Sequence, residues 1–141
     1  MYLGRNLLHP IALEGALKIK EICYVHAEAF PSGELKHGPL ALIDKDTLSI
    51  CCISKDFYPE KEMNVLHEIK SRSGKVLFLT DSEEIYRQHG DESVLVEHDF
   101  SYPWVGIPFV IPLQLFAYEM ALLKGVNIDR PRNLAKSVTV E

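Results

Sequence analysis

The sequence holds three cysteines, Cys23, Cys51 and Cys52, and none stands in a C-x-x-C or alternating Cys/His spacing. An odd count with two adjacent thiols inside an apolar run excludes a disulfide framework and a zinc ribbon. It fits buried free thiols in a reducing compartment. A basic excess is also missing: 15 Lys and Arg face 20 Asp and Glu, for a net charge of -5. A general nucleic-acid binder carries the opposite balance, and no block of like charges marks an interaction tail. Met1 to Pro10 lacks the apolar core of a secretory leader. Val105 to Leu123 is the most apolar window, yet Pro108, Pro112, Gln114 and Glu119 interrupt it. It reads as a buried helix rather than a membrane span. Gly4 stands alone, so no dinucleotide fingerprint is present. There is no internal repeat or low-complexity segment. These absences leave a cytoplasmic protein without a membrane or nucleic-acid partner and with no implied metal or cofactor.

What remains is 141 residues, 47% of them hydrophobic, enough to bury a real core. Short continuous apolar runs mark strands buried on both faces: Thr47 to Ile53, Lys75 to Thr80 and Ser93 to Glu97. Met1 to Leu3 is a further short strand ended by a Gly-Arg-Asn turn. Between the runs the period becomes helical. A first helix is expected from Pro10 to Ala29, buried through Ile11, Leu13, Leu17, Ile19, Ile22, Val25 and Ala29. A short helix is expected near Glu34 or over Leu40 to Ile43. Others follow over Pro59 to Arg72, Ser82 to Gln88 with Ser82 as cap, and Ile107 to Lys124 before Gly125. Trp104 and Tyr118 read as core aromatics. The alternation specifies an open α/β fold with a mostly parallel sheet and helices on both faces. Residues 1–125 form the body and 126–141 a C-terminal tail.

The chain is organised around Leu13 to Pro39, LEGALKIKEICYVHAEAFPSGELKHGP. Glu14, Lys18 and Glu21 recur at i, i+4 and i+7, so they share one helical face. A Pro31-Ser32-Gly33 loop then leads into Glu34-Leu35-Lys36-His37-Gly38-Pro39. An acid, an ammonium and an imidazole in one local unit suit proton transfer. They also suit a solvated face: Lys18 and Glu21 make an ordinary i, i+3 ion pair, and His37 sits in a Gly-Pro loop. His9, His26, His67, His89 and His98 fall in no motif.

The run from Ala12 to Asp46 resembles the second sugar-isomerase (SIS) subdomain of the glutamine–fructose-6-phosphate aminotransferase family. The ending DRPRNLAKSVTVE resembles that family's C-terminal tail. The resemblance implies an open three-layer α/β/α fold. It implies the isomerase part of a reaction that turns fructose 6-phosphate into glucosamine 6-phosphate with glutamine-derived ammonia. Glu21 matches the family's proton-shuttling carboxylate, and Lys18 the lysine beside it, which holds the enolate oxygen or sets the charge on Glu21. His37 matches a ring-opening histidine that serves the neighbouring subunit, so a homodimer is implied. Lys136 matches the lysine that forms an imine with the open sugar, and the backbone at Ala135 lines the sugar site. The family also carries a glutaminase domain and a first SIS subdomain, which holds the sugar phosphate. Neither is in this sequence, so the chain is expected to be a C-terminal fragment, inactive alone. The alternative is a sugar-phosphate-binding or dimerisation module without turnover of its own.

Overall fold

The computed structural model describes residues 1–132. Five parallel strands form one sheet in the order β2-β1-β3-β4-β5. They are β1 (Tyr2–Gly4), β2 (Ala29–Pro31), β3 (Leu48–Ile53), β4 (Lys75–Thr80) and β5 (Ser93–Leu95). The helices are α1 (Leu8–Lys18), α2 (Pro59–Ser71), α3 (Glu83–His89) and α4 (Ile107–Leu123). Alternate residues of each strand feed two cores, as the two-residue period of a strand requires. Tyr2, Ile50, Cys52 and Leu79 pack with α1 and α4. Leu3, Cys51, Ile53 and Phe78 pack with α2 on the opposite face. This is the three-layer arrangement expected. All three thiols are free and buried. Burial pushes the Cys52 thiol up to about 12 and raises Cys51 and Cys23 as well.

The first helix departs from its expected bounds. It ends as an α-helix at Lys18, continues as one π-helical turn over Ile19–Cys23, and stops where Tyr24 turns left-handed at φ 55°. Ala29 therefore opens a strand that the sequence pattern did not reveal. Three residues are too few to display a period. The buried seam of α1 also differs. Leu8, Ala12, Gly15 and Ala16 face the core, whereas Leu13 and Leu17 are exposed. Small residues win because α1 lies tightly on its neighbours. A Cβ on Gly15 would stand 2.9 Å from both Leu113 Cδ1 and Tyr2 Cε1. At Gly4 it would stand 2.3 Å from the Leu8 carbonyl oxygen.

The expected short helix is two 3-10 segments, Ser32–His37 and Pro39–Leu42. At α3 the Ser82 hydroxyl accepts the Ile85 N–H, the cap read from sequence. Helix α4 runs through Pro112. It ends in a Schellman motif, with Val126 N–H on the Ala121 carbonyl, Gly125 N–H on Leu122, and Gly125 at φ +65°. Trp104–Leu123 is long and apolar enough to cross a bilayer by length and composition. In the fold, Phe109, Leu113, Ala117 and Ala121 pack on the sheet. The opposite stripe, Ile107, Ile111, Leu115, Tyr118 and Leu122, is exposed. The expectation of a buried helix thus holds for one face of α4. Trp104 at 60% exposure and Tyr118 at 45% are not core aromatics. Their side chains fall on the outer side of a largely apolar segment that has no clear periodicity to indicate which side faces in.

Candidate active site

The end of α1 and the π turn that follows bring three charged side chains together. Lys18 Nζ donates to Glu21 Oε2 at 2.6 Å and lies 3.7 Å from Glu14 Oε1. The hydrogen bond to Glu21 raises the Lys18 pKa, outweighing partial burial, so the lysine is held protonated. All three side chains keep roughly a quarter to a third of their surface open. Pairs this exposed contribute about 0–1 kcal/mol, so stability does not explain the cluster. Chemically it is a carboxylate able to take a proton, with an ammonium beside it to stabilise a developing oxyanion. Lys18 also edges an open groove of ≈ 350 Å³ with Ile22, Ile111, Gln114, Leu115 and Tyr118. Among the described residues, no three His, Cys, Asp or Glu side chains converge as a metal site.

Tyr24 joins this end of the helix to the chain's last described residues. Its Oη accepts the Arg132 backbone N–H at 2.9 Å, and the Arg132 guanidinium lies 3.9 Å from the ring centroid. Asn127 Oδ1 accepts the Arg130 N–H just before. The chain after α4 thus returns to the turn that carries Glu21. Lys136 and Ala135, the two site residues expected beyond it, lie outside the described residues.

His37 is not brought to this cluster. It closes the Ser32–His37 segment with its side chain 70% exposed, and its Nδ1 is 2.8 Å from Glu34 Oε2. That segment is anchored through Leu35 in the α2-side core and through Lys36 to Glu68 of α2 at 2.8 Å. Glu21 belongs to the helix on the other face of the sheet. Within one chain the two groups have separate settings.

Two buried polar groupings had no sequence signal beyond single residues. Arg5 Nε donates to Glu62 Oε1 at 2.5 Å, and the Glu62 side chain is 2% exposed. Gly4-Arg5 read only as a turn, and Glu62 only as one position of the helix expected over Pro59 to Arg72. At the carboxyl ends of β3 and β4, Asp81 accepts the Ser54 hydroxyl at 2.8 Å and the Lys55 N–H at 2.7 Å. The buried His98 imidazole stands 3.4 Å from the same carboxylate and accepts the Phe100 N–H. This knot ties strand ends together; Ser54 and Asp81 are 27 residues apart, beyond any local pattern.

The SIS domain family matches residues 1–124. The chain is 51% identical over 145 residues to a glutamine–fructose-6-phosphate aminotransferase of Francisella tularensis, covering all of this chain and 23% of that protein. It therefore spans about a quarter of the length of the curated relatives it matches. Among solved structures, the C-terminal domain of the Francisella tularensis aminotransferase superposes at TM-score 0.76 and 43% identity, over 90% of this chain and 36% of that one. A glucosamine-6-phosphate deaminase of Thermotoga maritima superposes at TM-score 0.72 and 28% identity, over 99% and 40%. With a parallel five-stranded sheet, helices on both faces and a family match over nearly its whole described length, the chain belongs to the SIS domain family.

Proposed function

We propose that this chain is the second SIS subdomain of a cytoplasmic, dimeric glutamine–fructose-6-phosphate aminotransferase, with residues 1–125 as its body and 126–141 as an active-site tail. In this reading Lys136, as a neutral amine, attacks the C2 carbonyl of open-chain fructose 6-phosphate, and water leaves as the imine forms. Glu21 moves a proton between C1 and C2, while protonated Lys18 steadies the negative charge that develops. His37 opens the sugar ring in the site of the partner subunit, and the Ala135 backbone lines the sugar. Ammonia comes from a glutaminase domain, and the phosphate is held by a first SIS subdomain.

One observation carries the reading: Arg132 is docked on Tyr24, three residues past Glu21. Lys136 follows four residues later, a span of at most about 13–14 Å, so the tail can deliver an amine to the Glu21 carboxylate. The separate setting of His37 agrees with service to another chain. The exposed stripe on α4 favours a second reading, a binding or dimerisation module without turnover of its own.

The test uses a chimera in which these residues replace the matching C-terminal part of the Francisella tularensis relative. Borohydride added with fructose 6-phosphate is expected to fix the sugar on Lys136, read by peptide mapping. An adduct on Lys18 or Lys20 moves the nucleophile to α1. No adduct in a chimera that still binds the sugar favours the second reading.

A further inference from the structure

Leu35 and Lys36 pin the Ser32–His37 segment to the α2 side of the sheet. Leu35 is fully buried there, and Lys36 is turned to Glu68 at 2.8 Å. The segment is a 3-10 helix, in which side chains three apart eclipse one another. Glu34 and His37 are such a pair, and their side chains stand 59% and 70% exposed. Immediately after them Gly38 takes φ +139°, which residues with a side chain rarely adopt, and nothing lies within 4 Å of the place its Cβ would occupy. Glycine is there for the bend, and the bend ends the segment at the imidazole.

His37 Nδ1 lies 2.8 Å from Glu34 Oε2. An ionised carboxylate only accepts hydrogen bonds, so the proton between the two belongs to Nδ1. The hydrogen bond that one ring nitrogen makes decides the state of the other. Nε2 therefore carries the lone pair, and among the described residues the ring is engaged only through Nδ1. A bridge this exposed contributes little to stability, so holding the fold together is not what the pair accomplishes.

We infer that Glu34 is a positioning residue for His37: it fixes the Nδ1–H tautomer and so presents Nε2 as the base of ring opening. This rests on the ring-opening reading of His37 given above and names the group through which that histidine works. In the step, Nε2 takes the proton of the anomeric hydroxyl of the cyclic ketose phosphate. The C2–O5 bond breaks as the C2 carbonyl forms, and Nε2 returns the proton to O5. Between the two transfers the ring is an imidazolium, with the Glu34 carboxylate as the counter-charge at its back. Nδ1 keeps its proton throughout. With the proton on Nε2 instead, the ring would present a donor where a base is needed.

The experiment has two arms. In the labelled 141-residue chain at alkaline pH, where the ring is neutral, the nitrogen chemical shifts of His37 should report the Nδ1–H tautomer. Glu34→Ala removes the acceptor that selects it and should move the proton toward Nε2. In the chimera, Glu34→Ala should slow glucosamine 6-phosphate formation from fructose 6-phosphate at least about tenfold, less than the 10²–10⁴ expected when His37→Ala removes the base itself. The comparison substrate is 5-deoxyfructose 6-phosphate, which lacks the ring-forming hydroxyl and is permanently open; Glu34→Ala should turn it over as fast as the unsubstituted chimera does. Selective loss with the cyclic sugar supports the assignment. Equal loss with both sugars shows a structural role and overturns it. So does full turnover of fructose 6-phosphate in Glu34→Ala while His37→Ala is slow. The Nε2–H tautomer in the unsubstituted chain overturns it whether or not the open analogue is turned over. Full turnover of fructose 6-phosphate in His37→Ala removes the ring-opening reading itself, and the role of Glu34 with it.

Discussion

Replacing Arg5 with methionine should expose what the Arg5–Glu62 pair contributes. The Glu62 carboxylate is 2% exposed, and the Arg5 side chain that neutralises it at 2.5 Å is 23% exposed. Methionine keeps the aliphatic stem but leaves a carboxylate without its cation in the α2-side layer. Breaking one partner of a buried pair costs about 3–5 kcal/mol, because the remaining charge is desolvated and unpaired. Typical domains hold about 5–15 kcal/mol in total, so the variant should lose a large part of its stability. For a chain of this size the loss corresponds to a fall in Tm of about 6–20 °C. Urea denaturation of the 141-residue chain, analysed by linear extrapolation, measures it. The second arm removes both charges. Arg5→Met with Glu62→Leu should recover most of the loss or exceed the wild type, since hydrophobic replacement of a buried pair is often neutral or stabilising. A single-variant loss below about 1 kcal/mol would place the pair with exposed bridges. A double variant no better than the single one would show that the cost lies in packing and refute the electrostatic argument.

Two further outcomes follow from the site and from the seam that holds it. Glu21→Gln in the chimera should lower proton exchange between C1 and C2 by about 10²–10⁴ while sugar binding persists, because the amide keeps the shape but takes no proton; exchange of C1 deuterium at the wild-type rate would leave Glu21 a surface acid. Gly15→Val should cost about 1–3 kcal/mol in urea denaturation, since even its first carbon would stand 2.9 Å from Leu113 and Tyr2; an unchanged midpoint would mean that α1 and α4 repack without strain.

Much of the architecture was legible in the sequence because it rests on local chemistry. The β-branched and apolar runs at 48–53 and 75–80 became central strands, buried on both faces as continuous apolar runs must be. Ser82 and Gly125 fixed helix ends because a hydroxyl cap and a positive φ are properties of single residues. The spacing of Glu14, Lys18 and Glu21 placed them on one face, and they meet there. Only the tertiary structure decided the rest. The π turn after Lys18 and the left-handed Tyr24 answer to packing and to the returning chain at Arg132, and no local period encodes either. The buried seam of α1 runs through Leu8, Ala12, Gly15 and Ala16, with β1 and α4 pressing closest at Gly15, and leaves Leu13 and Leu17 outside. Arg5 with Glu62, and Asp81 with Ser54, are joined across 57 and 27 residues, and His98 reaches the same Asp81, once parallel strands bring their carboxyl ends into line. The sequence alone determined which side chains have the chemistry. The sheet order determined which of them share a site, because parallel crossovers gather residues distant along the chain at one edge of the fold.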